Sequence, residues 1–340
     1  MRKLSPLEAA KKLYSYDGEE YEQFCKLPEN ENGMSLFYKY AQIKLSEYCD
    51  VISSIDDQLL GELMAQTQFI FKDDITPKKF TNLTIKIKEE LIKILKELYK
   101  PNQTEAFTLL ERLLGKHNNK LTKYLTEEYV NHFKFRVEHQ DKLFRIRLSD
   151  KELDNCWHVP FNQRENAYTG RFGVPGHPCL YLGEDIQTCL CELCDSDKKG
   201  QKENRYVGVF MPKGQILCFD LRLNSGLAEE NIDSNELIYL LLTYPVRFLC
   251  SVKALHKSSY FCEEYLFSQA FMSLMMHPMD DEKLYMAQYH GIIYDSTKNK
   301  GGVNYALYAK SEEYPPRADE IYSNRLMSLF EHGKPEIVNK

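Results

Sequence analysis

The chain holds a single tryptophan, Trp157, in 340 residues, and it lacks several patterns that would place it in a class at once. No apolar run approaches the roughly 20 residues that a membrane span needs. The longest, about Leu237 to Leu242, has the length of a strand or core-helix segment. There is no basic excess. Lys plus Arg number 44 against 50 Asp plus Glu, for a net charge of −6. Residues 1–140 carry 21 basic and 22 acidic residues, and the remainder 23 and 28. Neither half has the cationic surplus that advertises nucleic-acid binding. The opening Met1-Arg-Lys-Leu-Ser-Pro-Leu-Glu8 lacks the apolar core of a signal peptide. A cytoplasmic protein with no membrane association is therefore expected. Internal repeats and low-complexity linkers are also missing.

Ten cysteines are many, but no second Cys or His pair stands at zinc-ligand spacing from the cluster Cys189, Cys191, Cys194. On a helix, Cys189 and Cys194 fall on the apolar side with Ile186, Leu190 and Leu193, so reduced core thiols and no metal are expected. Gly170, Gly173 and Gly176 do not make a dinucleotide-binding fingerprint, because Pro175 and Pro178 forbid the helix that motif requires.

What is present divides the chain into two textures. Residues 1–140 read as an all-helical domain. Ser5-Pro6-Leu7-Glu8 combines a capping box with proline at the first helical position. Residues 34–49, 53–71, 83–99, 104–115 and 120–135 show helical spacing, broken by Pro77, Pro101 and Asn118-Asn119. Leu91, Ile92, Leu95 and Leu98 form one apolar stripe with lysines opposite. From about 141 the period shortens. Phe144-Arg-Ile-Arg-Leu148 alternates as a half-buried strand with Arg145 and Arg147 on its other face. Strand-like runs follow at 179–182, 205–211, 216–221, 247–252, 291–295 and 303–309. Helical ones lie at 185–195, 234–242 and 262–276. The pattern predicts an α+β chain: a helical domain 1–140, a mixed domain 141–320 and a tail 321–340.

The chemistry concentrates between Gly170 and Glu192. Arg171, Tyr181 and Glu192 follow one another ten and eleven residues apart. A guanidinium grips a diphosphate in pairs of hydrogen bonds, a ring stacks on a flat heterocycle, and a carboxylate steadies a sugar cation. Together they suit a dinucleotide with a cleavable glycosidic bond, which describes NAD.

The stretch Gly170-Arg-Phe-Gly-Val-Pro-Gly-His-Pro-Cys-Leu-Tyr-Leu182, followed by the helical Glu192, resembles the RES domain pattern Gly-Arg-Trp-x-x-Pro-Gly-x-Pro-x-x-Tyr-Leu. Phe172 and Gly173 replace the more usual Trp and Asn. Glu264-Tyr-Leu-Phe-Ser-Gln269 is similar to the family's Glu-Tyr-x-x-Pro-Gln helix start, with Ser268 at the proline position. Gly291-Ile-Ile-Tyr-Asp-Ser296 is similar to its Gly-Ile-x-Tyr-x-Ser strand, with Asn304-Tyr-Ala306 beyond. The resemblance spans about 141–310.

That resemblance implies an ADP-ribosyltransferase-like fold and an enzyme that consumes NAD as substrate, without a prosthetic group, as a toxin or stress effector. It implies that Arg171 holds phosphate, Tyr181 stacks on nicotinamide and Glu192 bonds the ribose. Arg145 or Arg147 would add a phosphate contact, and Ser296 and Asn304 polar ones. NAD glycohydrolase or phosphorylase action is the expectation, with ADP-ribosyltransferase action on a macromolecule as the alternative. A non-catalytic nucleotide-binding module is a further alternative. So is a helical ribonuclease built on Arg112 and His117, an Arg-x4-His pair like that of HEPN domains. Family members are often neutralised by an antitoxin. Here it would be a separate protein, or residues 1–140 would do the work, so that a chain starting near 140 would be more active. Oligomeric state is left open.

Overall fold

The computed structural model describes residues 2–15, 19–27, 35–67, 75–114, 134–167, 170–193, 204–223, 232–255, 262–276, 289–309, 313, 316–317 and 319–338. It is an α+β chain in two compact units. One unit is built chiefly on Met1–Phe133 and Arg222–Leu274, the other on Lys134–Leu221 and Ala287–Lys340. The helices Ser234–Ser251 and Leu266–Met276 thus fall chiefly in the unit of the N-terminal helices.

The first unit opens with α1 (Pro6–Leu13), whose capping box forms as predicted: Glu8 N donates to Ser5 Oγ at 3.2 Å, and Ser5 N to Glu8 Oε2 at 2.8 Å. Helices α2 (Glu19–Cys25), α3 (Leu36–Ser53), α4 (Asp57–Gln66), α5 (Pro77–Leu98) and α6 (Thr104–Leu114) follow. Pro77, read above as a breaker, starts α5 instead. Its missing N–H costs nothing in the first turn, and Thr76 Oγ1 accepts from Lys79 N at 3.3 Å. Phe80, Leu83, Ile87, Leu91, Ile94, Leu95 and Leu98 make the buried face of α5, while Ile92 is half-buried. Residues 120–133 of the predicted helix 120–135, and His117, lie outside the described residues.

The run 247–252 is not a strand. It is the second half of α8 (Ser234–Ser251), which continues through Pro245. A mid-helix proline leaves the carbonyl four residues earlier without a partner. Here that carbonyl belongs to Leu241, and Tyr48 Oη donates to it at 2.9 Å. Tyr14 Oη donates to the neighbouring Leu240 carbonyl at 3.0 Å. A tyrosine of the N-terminal helices, Tyr48, therefore satisfies the carbonyl that proline orphans. Every residue from Leu237 to Cys250 is buried, so the helix shows no amphipathic period to be read from sequence.

Two adjacent carboxylates tie this unit together. Glu264 is 5% exposed and accepts from Tyr21 Oη at 3.2 Å and Leu255 N at 3.3 Å. Glu263 accepts from Tyr99 Oη and from Phe37 N, each at 2.9 Å. Ser35, the cap residue of α3, is left-handed (φ 59°) and makes no side-chain cap bond, so Glu263 supplies an acceptor to that helix start from another segment. Helix α9 (Leu266–Met276) begins directly beyond.

The second unit is a nine-stranded mixed sheet among the described residues. Its strands are β1 (Lys134–Val137), β2 (Leu143–Ser149), β3 (Cys179–Gly183), β4 (Asn204–Pro212), β5 (Ile216–Asp220), β6 (Gly291–Asp295), β7 (Val303–Tyr308), β8 (Phe330–His332) and β9 (Glu336–Ile337). The order is β1-β5-β6-β7-β3-β2-β4-β8, with β9 also on β4. Only the β5–β6 pair is parallel. β1 corrects the all-helical reading of 1–140: residues 134–137 run antiparallel to β5.

Alternation splits the sheet into two faces. Leu143, Leu180, Leu182, Phe210, Ile293 and Leu307 point to one, where Trp157 packs edge-on against Phe210 at 5.1 Å. α10 (Asn324–Leu329) adds Leu326 to that core. Phe144, Ile146 and Val207 point to the other face, which is partly covered by α7 (Ile186–Leu193) through Cys189, Leu190 and Leu193.

Candidate active site

Of the predicted residues, Arg171, Tyr181, Glu192, Ser296 and Asn304 gather on the α7 side of the sheet, and the strand register explains how. Antiparallel partners share a face. Tyr181 stands opposite Ala306, Gly183 opposite Asn304, and Tyr294 opposite the same Asn304 from the other side. Tyr181, Asn304 and Tyr294 therefore look the same way, over a floor kept low by Gly183 and Ala306. Tyr181 is half-buried and Asn304 is 5% exposed.

Glu192 reaches this face from α7. Asp185 starts the helix, accepting from Thr188 N through Oδ1 at 2.5 Å and from Cys189 N through its carbonyl at 3.3 Å. Thr188 and Glu192, four residues apart, lie on one side, while Cys189 turns to the sheet. The Cys189 thiol, pushed up to about 12 by burial, donates to the Phe144 carbonyl at 3.2 Å, as a core thiol should. Ile186, read as part of the apolar stripe, is 36% exposed. Cys194 lies outside the described residues.

The carboxylate of Glu192 is held at one oxygen. Ser296 Oγ donates to Oε1 at 2.7 Å and Asn304 Nδ2 donates to the same atom at 2.9 Å. The Ser296 hydroxyl proton is committed to Glu192 because its oxygen accepts from Lys298 N at 3.2 Å and Asn299 N at 3.0 Å. Lys298 Nζ donates to the Glu192 carbonyl at 2.7 Å and sits 3.5 Å from Oε2. Asn299 Nδ2 donates to Thr188 Oγ1 at 2.9 Å. The turn between β6 and β7 is thus fastened to the outer side of α7.

Glycine is required in that turn. Gly301 has φ 84°, and a Cβ on Gly302 would come within 2.5 Å of Thr188 Oγ1 and 2.7 Å of Asn299 Nδ2.

Arg171 arrives from the connection before β3. Gly173 N donates to the Gly170 carbonyl at 3.0 Å, which turns the chain and buries both Arg171 (7% exposed) and Phe172. Phe172 packs 4.8 Å from the Tyr294 ring, so phenylalanine fills the usual tryptophan place against β6. The Arg171 guanidinium lies over the other partner of that contact, 5.7 Å from the Tyr294 centroid, and Nη2 is 3.5 Å from Thr297 Oγ1. Arg171 and Glu192 therefore converge on consecutive residues, Thr297 and Ser296.

Arg145 and Arg147 are placed elsewhere. They oppose Gly208 and Tyr206 on β4 and share the face of Leu143, across the sheet from Tyr181 and Asn304. β2 and β3 pair only at Phe144 and Gly183, and Arg145 Nη1 donates to the Tyr181 carbonyl at 3.3 Å where the ladder is open. Burial and the like charge of Arg147 pull Arg145 down to about 10. Arg145 secures the strand that carries Tyr181.

Tyr294, Thr297, Lys298, Asn299 and Thr188 were not singled out as site residues in the sequence. Tyr294 stood inside a quoted motif. The others become significant only once the turn folds onto α7. Among the described residues, no group of three or more His, Cys, Asp or Glu stands ready to hold a metal.

No helix is long and apolar enough to cross a membrane among the described residues. The chain is similar to a protein of Bacillus subtilis (strain 168) named "Putative toxin YopC", at 29% identity over 212 residues, covering 57% of this chain and 46% of that one. The chain thus spans about half the length of the curated relative it matches. No solved structure matches it. A family model, the RES domain, matches residues 142–323, which hold the whole Arg171, Tyr181, Glu192, Ser296 and Asn304 set. By that match over more than half its length, the chain belongs to the RES domain family.

Proposed function

We propose that this chain is an NAD-cleaving enzyme that acts as a toxin or stress effector in the cytoplasm, releasing nicotinamide and passing ADP-ribose to water or phosphate. The observation that carries the reading is Glu192. Its carboxylate is fixed by Ser296 and Asn304 on the face that holds Tyr181, and Arg171 reaches the adjoining Thr297. The relative whose printed name includes the word toxin supports the biological half of the reading.

The chemistry follows from the charges. In NAD the nicotinamide nitrogen is already cationic, so no general acid is needed for it to leave. The bond from C1′ to that nitrogen breaks with its electron pair passing to the ring, which departs neutral. Positive charge builds on the ribose, and a carboxylate beside C1′ stabilises it. A water or phosphate oxygen then bonds C1′, and when water is the acceptor one proton goes to solvent. Arg171 is suited to the diphosphate and Tyr181 to the nicotinamide ring, each fixing one half of the molecule while the bond between them stretches. An inhibitor protein that covers this face would silence the enzyme.

Incubation of the purified chain with NAD and measurement of free nicotinamide tests the proposal. Glu192→Gln keeps the size and one hydrogen-bond acceptor but removes the charge, so release should fall by about 100-fold or more, the usual scale for losing one charge-stabilising group. No release by the unsubstituted chain, or equal release by the variant, rejects it. With labelled NAD, label retained on protein or nucleic acid would assign transfer in place of hydrolysis or phosphorolysis.

A further inference from the structure

We infer that Lys298 is a positioning residue for Glu192, an inference that rests on the NAD-cleaving reading. Its Nζ donates to the Glu192 carbonyl at 2.7 Å and stands 3.5 Å from Oε2 of the same residue. One ammonium therefore spans the main chain and the side chain of a single glutamate and restricts its rotamer.

The position of Lys298 is itself rigid. Ser296 Oγ accepts from Lys298 N, Ser296 N donates to the Gly302 carbonyl at 2.7 Å, and Gly302 N donates to that of Asn299 at 2.9 Å. The turn is then pinned to α7 by Asn299 on Thr188. The Glu192 carbonyl lies in the last turn of α7, where carbonyls lack helical partners and a cation is favoured.

The two carboxylate oxygens are left in different states. Oε1 accepts from both Ser296 and Asn304, which occupies its lone pairs. Oε2 is too far from Nζ for a hydrogen bond, and among the described residues it accepts none. Oε2 is thus the oxygen presented to a ribose hydroxyl, and Lys298 holds it there without taking its lone pairs. The lysine and glutamate side chains are 28% and 35% exposed, so the pair adds little stability as an ion pair. Its effect is on geometry.

The test compares nicotinamide release by the full-length chain, Lys298→Met and Lys298→Arg, with thermal unfolding of each. Lys298→Met should lower kcat by about 10- to 100-fold, the cost of loosening an aligned catalytic group, with KM changed less than about twofold. Lys298→Arg, which can reach the same carbonyl, should recover most of the loss, and unfolding temperatures should agree. Undiminished kcat in Lys298→Met, a loss confined to KM, or no recovery with arginine overturns the role of Lys298 alone. No release by the unsubstituted chain overturns the cleavage reading, and the role of Lys298 in turnover with it.

Discussion

Single polar atoms decide much of this protein's behaviour. His158 is fully buried in the second unit. Its Nε2 accepts from Ser323 N at 3.0 Å, and its Nδ1 donates to the Val159 carbonyl at 2.7 Å, so the ring must be neutral. Burial pulls its pKa from 6.5 down to about 4. Ser323 also caps α10, donating to the Glu313 carboxylate while accepting from Leu326 N at 3.1 Å. A lowered histidine contributes stability in full above its unfolded pKa of 6.5. That contribution is lost as pH falls toward about 4, because the unfolded chain takes the proton first. Between pH 7 and pH 5 the chain should lose about 2 kcal/mol from this residue. Urea unfolding at the two pH values checks it, with non-titrating His158→Gln expected to have a flatter pH dependence. Equal slopes would show that another group carries the acid sensitivity.

At the scale of elements, helices end or continue according to who satisfies their carbonyls. Helix α8 runs through Pro245 because Tyr48 replaces the missing N–H. Tyr48→Phe should therefore destabilise the chain by about 1–3 kcal/mol, the cost of leaving a buried carbonyl unpaired. In a Pro245→Ala background the alanine N–H can bond the Leu241 carbonyl, so the same Tyr48→Phe change should cost distinctly less. A double-mutant cycle by thermal unfolding measures the difference. Full additivity would mean that the hydroxyl matters for another reason. The same rule explains the β2–β3 opening, where Arg145 serves a carbonyl the ladder does not reach.

At the scale of the whole molecule, the N-terminal residues are not a removable attachment to the family's domain. The RES match at 142–323 includes α8, whose residues 237–250 are all buried in a unit shared with α1, α3, α4 and α5. Tyr14, Tyr48, Tyr21 and Tyr99 each bond a residue of the segment 234–264. A chain beginning at residue 134 would expose a helix that is otherwise buried on all sides and leave the Glu263–Glu264 pair without those tyrosine partners. It should be insoluble or lack a cooperative unfolding transition. A soluble truncated chain with a sharp transition and faster nicotinamide release would instead mark residues 1–133 as an inhibitor.

Local order in the sequence was enough for the capping box at Ser5–Glu8, the alternating strands of the sheet and the ordered Arg171, Tyr181, Glu192 motif, because each depends on near neighbours or on spacing. The motifs around Ser296 and Asn304 singled out both residues as polar ligand contacts; that they also bond Glu192 is a product of the fold. Four more things depended on residues distant in the chain. Pro245 stays helical through a tyrosine nearly two hundred positions earlier, and β1 takes its strand form beside β5. Arg145 and Arg147 fall on the core side of the sheet through the register with β4. Lys298 acquires its role when the β6–β7 turn closes on α7. Periodicity says which residues share a face; which face meets which neighbour is settled only when the strands pair and the helices pack.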